Sequence, residues 1–248
     1  MVTTLKINNE LKTVDLSQPI DISIEFSADE KNPLAWYLDK PEIEPVQLDD
    51  WVGSTVEGAA VNFKNILFNP HAHGTHTECV GHISNEFYAV NASLKEFFFL
   101  AEVISVIPEN KGKDQVITGY EIKKMLHGKQ PEAVVIRTFP NTPSKKSRKY
   151  SNTNWPYLSK EAAQYLHDLG VQHLLIDLPS VDKEKDDGKL HAHKAFWNYP
   201  EQPRLNATIT EFIFVPNKVK DGSYLLNLQM ANFKNDAAPS RPVLYKFK

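Results

Sequence analysis

Four of the nine histidines, His71, His73, His76 and His82, fall in one short segment, Asn69-Pro-His-Ala-His-Gly-Thr-His-Thr-Glu-Cys-Val-Gly-His82. Two more, His191 and His193, follow a charged stretch far downstream. Pro70 and Gly74 oppose a continuous helix, so the first segment reads as irregular or extended backbone with side chains alternating by two. On that reading His76, Glu78 and His82 share a face. Imidazole and carboxylate are ligands for zinc and similar divalent ions, and three protein ligands leave a position open for a reactive water. Glu211 adds to this. It sits inside the apolar run Ala207–Val215, where strict alternation sends Ile209, Glu211 and Ile213 the same way. A carboxylate among isoleucines needs a partner, which an arginine or a metal could supply. A His-x-Glu pair alone carries little information. A rival enzyme reading makes Cys79 a nucleophile with His82 as base, but no nucleophile elbow surrounds it, and a lone cysteine is more often a small buried apolar residue.

These residues need elements to hold them. Apolar runs predict strands at Ile22–Phe26, Ala59–Phe68, Leu100–Ile107, Ala133–Thr138, Val171–Asp177, Ala207–Val215 and Ser223–Met230. Helical signals are fewer. Thr118 and Glu121 form a capping box ahead of Ile122–Leu126, and Ser93 with Glu96 forms another. The clearest helix has Ser159 as N-cap and stops at Gly170, with a strand directly after. Strands interspersed with a few short helices argue for an α/β or α+β layer architecture around a mixed sheet. The stretch Asn141–Pro156, with Lys145, Lys146, Arg148 and Lys149, and the charged stretch Asp182–Lys189 read as solvated loops inside a single domain spanning residues 1–248.

Composition narrows the class. Lys plus Arg is 28 against 31 Asp plus Glu, a net charge of −3. That balance argues against nucleic acid or an anionic membrane as a partner. One cysteine excludes an internal disulfide framework and fits a reducing compartment. The N-terminus lacks the apolar run of a secretory signal and no segment has the length of a membrane span, so a cytoplasmic protein is expected. No Walker or dinucleotide glycine fingerprint is present.

At the histidine segment the sequence resembles the cyclase family that includes bacterial kynurenine formamidases and isatin hydrolases. The family motif His-x-Gly-Thr-His-x-Asp-x-Pro-x-His is matched by Ala72-His-Gly-Thr-His-Thr-Glu-Cys-Val-Gly-His82. The resemblance extends to Asp15-Leu-Ser-Gln-Pro19, Val134-Val-Ile-Arg-Thr138, Leu174–Asp182, His193, Glu211 and Ala237–Leu244, in the family's order. It implies a swivelling β/β/α domain, assembled as a homodimer or homotetramer, that hydrolyses the amide or formamide bond of a small molecule. It implies one or two divalent ions, zinc or manganese, held by His76, Glu78, His193 and Glu211, with His82 transferring protons and Trp36 near the ligand. Three departures stand out. Ala72 replaces the family's first histidine; His71 and His73 flank it, but in an extended segment both point away from His76 and Glu78, so a substitute such as His73 needs a kink at Pro70 or Gly74. Glu78 replaces an aspartate, and Val80 a proline. Asn198–Arg204 reads as an extension expected to reshape the pocket mouth. The alternative is a non-catalytic binding protein whose metal site has decayed.

Overall fold

The computed structural model describes residues 1–7 and 9–248. Its frame is a nine-stranded mixed sheet. In chain order the strands are β1 (Ile20–Asp21), β2 (His76–Glu78), β3 (Phe98–Val106), β4 (Ala133–Thr138), β5 (His173–Ile176), β6 (Thr208–Glu211), β7 (Gly222–Asn227), β8 (Ala237–Pro239) and β9 (Val243–Lys246). Across the sheet they run β8-β2-β6-β5-β4-β3-β7-β9-β1. The centre, β3 to β6, is parallel, and every pairing outside it is antiparallel. Parallel strands need crossovers. Three helices supply them: α3 (Gly119–Leu126), α4 (Lys160–Asp168) and α5 (His191–Trp197), while α1 (Pro70–His73) and α2 (Val90–Ser93) are single turns.

The central strands are buried on both faces, which is why their sequences are nearly continuous apolar runs. Ile104, Val134, Ile136, Leu174 and Ile176 pack towards the helices with Leu166 and Phe196. Their neighbours Val103, Val135 and Leu175 pack on the opposite face with Ile213, Leu226 and Leu244. The helix starts follow the capping signals. Thr118 accepts the Glu121 N–H ahead of α3, and Ser159 accepts the Ala162 N–H ahead of α4. Each such cap is worth about 0.5–2 kcal/mol.

Several sequence expectations are corrected. Only Lys64–Leu67 of the run 59–68 is a strand; it pairs with Glu42–Pro45 in an exposed two-stranded ribbon outside the main sheet. The first strand of the sheet is Ile20–Asp21, ahead of 22–26. Ser93 and Glu96 begin no helix, because the short turn α2 ends at Ser93 and the chain becomes extended at Leu94. The basic stretch 141–156 is mostly exposed, as expected, but one of its lysines is not. Lys145 is buried, and its ammonium donates to Asp177 at 2.7 Å, to the Thr138 hydroxyl at 2.7 Å and to the Thr138 carbonyl at 2.6 Å. Lys149 reaches the Glu30 and Asn32 carbonyls. The stretch Asn198–Arg204 follows α5 directly, and Arg204 bonds the carbonyls of Phe196 and Val171, at the end of the sheet where β5 and β6 begin. Among the described residues no helix is long and apolar enough to cross a membrane.

Candidate metal centre

The site lies at the carboxyl end of β6 and its antiparallel neighbour β2, the end of a parallel sheet where ligands usually bind. Register does the first work. Glu211 pairs directly with His76, and Ile209 with Glu78, so two carboxylates and an imidazole occupy one face of a two-strand ladder. The Glu211 carboxylate approaches His76 Nε2 at 3.4 Å and accepts the Val181 N–H at 2.8 Å. The expected alternation ends there. Phe212 has a left-handed φ of 56°, so Ile213 turns to the opposite face and joins the other core. A left-handed phenylalanine is strained; here its N–H donates to the Leu178 carbonyl and its carbonyl accepts from Thr75.

α5 delivers His193 across the ladder. His193 Nε2 lies 3.1 Å from Glu78 Oε1 and 3.7 Å from Glu211 Oε1. Its other nitrogen, Nδ1, lies 2.6 Å from Asp182 Oδ2. Asp182 also accepts the N–H groups of Ala192 and His193, so one buried carboxylate caps the start of α5 and orients its histidine. Its place at the head of a charged run suggested a solvated loop; its side chain is buried instead.

The first histidine segment departs from the extended conformation expected of it. Asn69 caps and Pro70 occupies the first position of the single turn α1, a role proline fits because its missing N–H has no helical partner there. The turn carries His71 to the cluster, where Nδ1 is 3.1 Å from Glu78 Oε2 and Nε2 is 2.9 Å from Asp236 Oδ2. Ala72 is buried beside the segment 33–36, its carbonyl accepting the Ala35 N–H. His73 points elsewhere, and its Nδ1 accepts the Asn69 N–H at 2.9 Å. Gly74 then lets the chain pass Phe26, since an added Cβ would come within 2.8 Å of that ring. The Gly74 carbonyl receives His76 Nδ1 at 3.0 Å.

His82 lies at the solvent side of the cluster, in the turn after β2, with Nδ1 3.4 Å from Asp236 Oδ2 and 3.8 Å from Glu78 Oε2. Its ring stacks on His71 at 4.3 Å. His76, Glu78, His82, His193 and Glu211, chosen from sequence, therefore converge, and His71, Asp182 and Asp236 join them. Trp36 is not in the cluster. It packs edge-on against Trp155, which leads through Tyr150 and Phe212 towards His76. Cys79 is buried with its thiol against the Tyr88 carbonyl, and burial pushes that thiol up, away from nucleophile chemistry.

Electrostatics agree with a cation-seeking centre. Burial opposes the charge on Glu78, yet His82, His193 and His71 together hold it well below the usual carboxylate range. Burial likewise opposes protonation of His193, but Asp182 and Glu78 keep it well above an ordinary imidazole. His71 follows the same rule: burial pulls it down, and Asp236 and Glu78 raise it to about 10. In this arrangement protons balance the acidic groups. A divalent ion fits the same residues. His71, His76 and His193 each present one ring nitrogen to an outer carboxylate or carbonyl and the other to Glu78 or Glu211, the geometry by which proteins fix a metal-binding imidazole. The buried atoms His76 Nε2 and Glu78 Oε2 have no hydrogen-bond partner among the described residues. Ligand atoms of His71, His76 and Glu78 lie within 4.8 Å of one another, as do those of Glu78, His82 and His193. The chemistry of this donor set is that of a divalent metal site.

Residues 14–183 match the family model described as "Putative cyclase", and the chain belongs to that family. It is 26% identical over 234 residues to a kynurenine formamidase of Bacillus thuringiensis, covering 93% of this chain and 96% of the relative. The kynurenine formamidase of Bacillus anthracis is 25% identical over 236 residues, with 94% and 97% covered. Among solved structures, an isatin hydrolase bound to thioisatinate superposes with a TM-score of 0.68 at 15% identity, over 93% of each chain. A Bacillus stearothermophilus protein described as a predicted metal-dependent hydrolase gives 0.65 at 17% identity, over 92% of this chain and 98% of that one. These likenesses establish the cyclase fold, with the mixed sheet and few helices read from the sequence.

Proposed function

We propose that this chain is a metal-dependent hydrolase of the amide or formamide bond of a small molecule. The ligands are His71, His76, Glu78, His193 and Glu211, and His82 is the proton-transfer residue. One observation carries the reading: three imidazoles, each anchored through one nitrogen, turn the other onto two buried carboxylates that no lysine or arginine among the described residues pairs. The relatives named for formamide and isatin hydrolysis support the bond class.

A divalent ion bound there would acidify a water towards neutral pH and polarise a carbonyl oxygen. Zinc and manganese both suit three imidazoles with two carboxylates. The chain's own residues do the rest. Glu78 and Glu211, buried, hold their positions without solvent competition. His82, partly exposed at the mouth, is placed to pass a proton to the departing nitrogen, a contribution of roughly 10²–10⁴ in rate. Phe212, Tyr150 and Trp155 form a small buried aromatic cluster between His76 and the half-buried Trp36, so Trp36 is the one of the four a planar substrate could reach.

The decayed-site alternative loses its main support in the geometry of α1. His71, one residue earlier, stands in the cluster beside Glu78 and Asp236, which supports reading it as the ligand in place of the histidine absent at position 72. The test is metal analysis of protein purified without chelator, with turnover of N-formylkynurenine, formanilide and isatin before and after chelation. Stoichiometric zinc or manganese, with activity lost to chelator and restored by metal, is expected. Protein that binds neither ion, or that turns over fully when stripped, overturns the proposal.

A further inference from the structure

Asp236 belongs to no strand and lies one residue before β8. Its backbone is fixed independently of its side chain: its carbonyl accepts the Cys79 N–H at 3.0 Å, and the next residue, Ala237, pairs with Glu78. The carboxylate is therefore held beside the cluster from outside. A single oxygen, Oδ2, faces His71 Nε2 at 2.9 Å and His82 Nδ1 at 3.4 Å, and the two rings it faces are stacked.

We propose that Asp236 is a positioning residue with two simultaneous tasks. It holds the displaced ligand His71 with Nδ1 towards Glu78, and it holds His82 with Nδ1–H towards itself, leaving Nε2 as the ring atom that exchanges protons with substrate. The inference rests on the metal-dependent reading above and deepens it. The chemical reason lies in the shift from position 72 to position 71. The bonds that steady the backbone of α1, from the Asn69 cap and between the Ala72 carbonyl and Ala35, leave the tautomer and orientation of the His71 ring to be set by its own partners. An acceptor on Nε2 selects one tautomer and one ring orientation from those available, as outer carboxylates do for metal-bound imidazoles. Because the same oxygen also faces His82, the ligand and the proton-transfer residue are set by one group. Asp236 itself carries no proton in the reaction. Its charge lies against two imidazoles and needs no further partner.

The test uses the full-length chain with Asp236→Asn and Asp236→Ala. Both keep the backbone bond to Cys79, and the asparagine keeps the shape. Zinc affinity is measured by competition with a chromogenic chelator, and kcat and KM for N-formylkynurenine are measured at saturating zinc. Zinc affinity is expected to fall about 10- to 100-fold in Asp236→Ala. At saturating zinc, kcat is expected to fall at least about tenfold with KM little changed. In a His82→Ala background the same Asp236 substitutions are expected to have no further effect on kcat, because the step through which they act is already gone. A structural role alone would leave the cycle additive. Zinc affinity and kcat both within threefold of the parent, or an additive cycle, overturn the inference while the parent's activity upholds the broader reading. A parent that binds no zinc removes both.

Discussion

Asp182 offers the sharpest test of how the fold holds its chemistry. It accepts three hydrogen bonds, from the Ala192 N–H at 2.8 Å, the His193 N–H at 3.0 Å and His193 Nδ1 at 2.6 Å. Asp182→Asn keeps volume and shape but offers only one oxygen. If that oxygen takes the Ala192 N–H, the amide NH2 faces both donors of His193, and two buried donors lose their acceptor. An unsatisfied buried donor costs about 1–3 kcal/mol, and a lost helix cap about 0.5–2 kcal/mol. These overlap, because the His193 N–H is counted in both, so a net loss of about 3 kcal/mol is expected. For a chain of this size 1 kcal/mol moves Tm by about 2–4 °C, which places the shift at about 6–12 °C. Urea unfolding monitored by circular dichroism, beside differential scanning calorimetry, reads it. Chelator competition should show zinc affinity falling as well, because His193 loses its orientation. A Tm within 2 °C of the parent, with zinc affinity unchanged, would refute the view that Asp182 both caps α5 and aims its histidine.

Two further outcomes follow from the same geometry. His71→Ala should lower zinc affinity by at least about 100-fold, more than the loss of an outer partner, whereas His73→Ala should leave zinc affinity intact and cost about 1 kcal/mol of stability through the Asn69 N–H it satisfies; equal effects in the chelator assay would contradict the assignment of His71. His173 lies elsewhere, packed at a tilt against Phe99 and bonded to Thr208, and burial, aided by Arg204, pulls it from 6.5 down to about 4. The folded chain therefore resists a proton that the unfolded chain accepts, so stability falls as pH drops from about 6.5 to about 4, with a ceiling of about 3 kcal/mol. His173→Gln should flatten that part of the stability profile, and parallel profiles for parent and variant would disprove the burial argument.

The parts of the molecule that could be read from the chain are those where a single local rule decides. β4, buried on both faces, begins and ends where its apolar run does, and α3 and α4 start where Thr118 and Ser159 can cap them. The ligand pair His76 and Glu78 was visible because alternation along three residues survives in β2. His71 was legible only as one of two flanking candidates, because Pro70 reads equally as a helix breaker and as a first helical residue, and only the second places His71 on the cluster. Asp182 and Lys145 were hidden for a different reason. Each sits in a run of charges, and composition averages over the one residue in the run that finds a buried partner. Asp236 carried a weak signal, lying directly before the Ala237–Leu244 segment. Ile213 was assigned to the wrong face because one left-handed residue, Phe212, inverts the alternation, and no propensity anticipates that for a phenylalanine.

The carboxylate of Asp182 ties the first residue of the charged stretch to the first turn of α5, so the chain between them leaves and returns through a closed neck. Most of what lies beyond the neck, from Lys185 to Lys189, is open to solvent. Asp186 accepts the Leu190 N–H at the start of α5, so the part mechanically isolated from His193 is the exposed tip Asp187–Lys189. Variation can accumulate there, and an inserted peptide or reporter can be accommodated, while the imidazole a few residues away stays where it is.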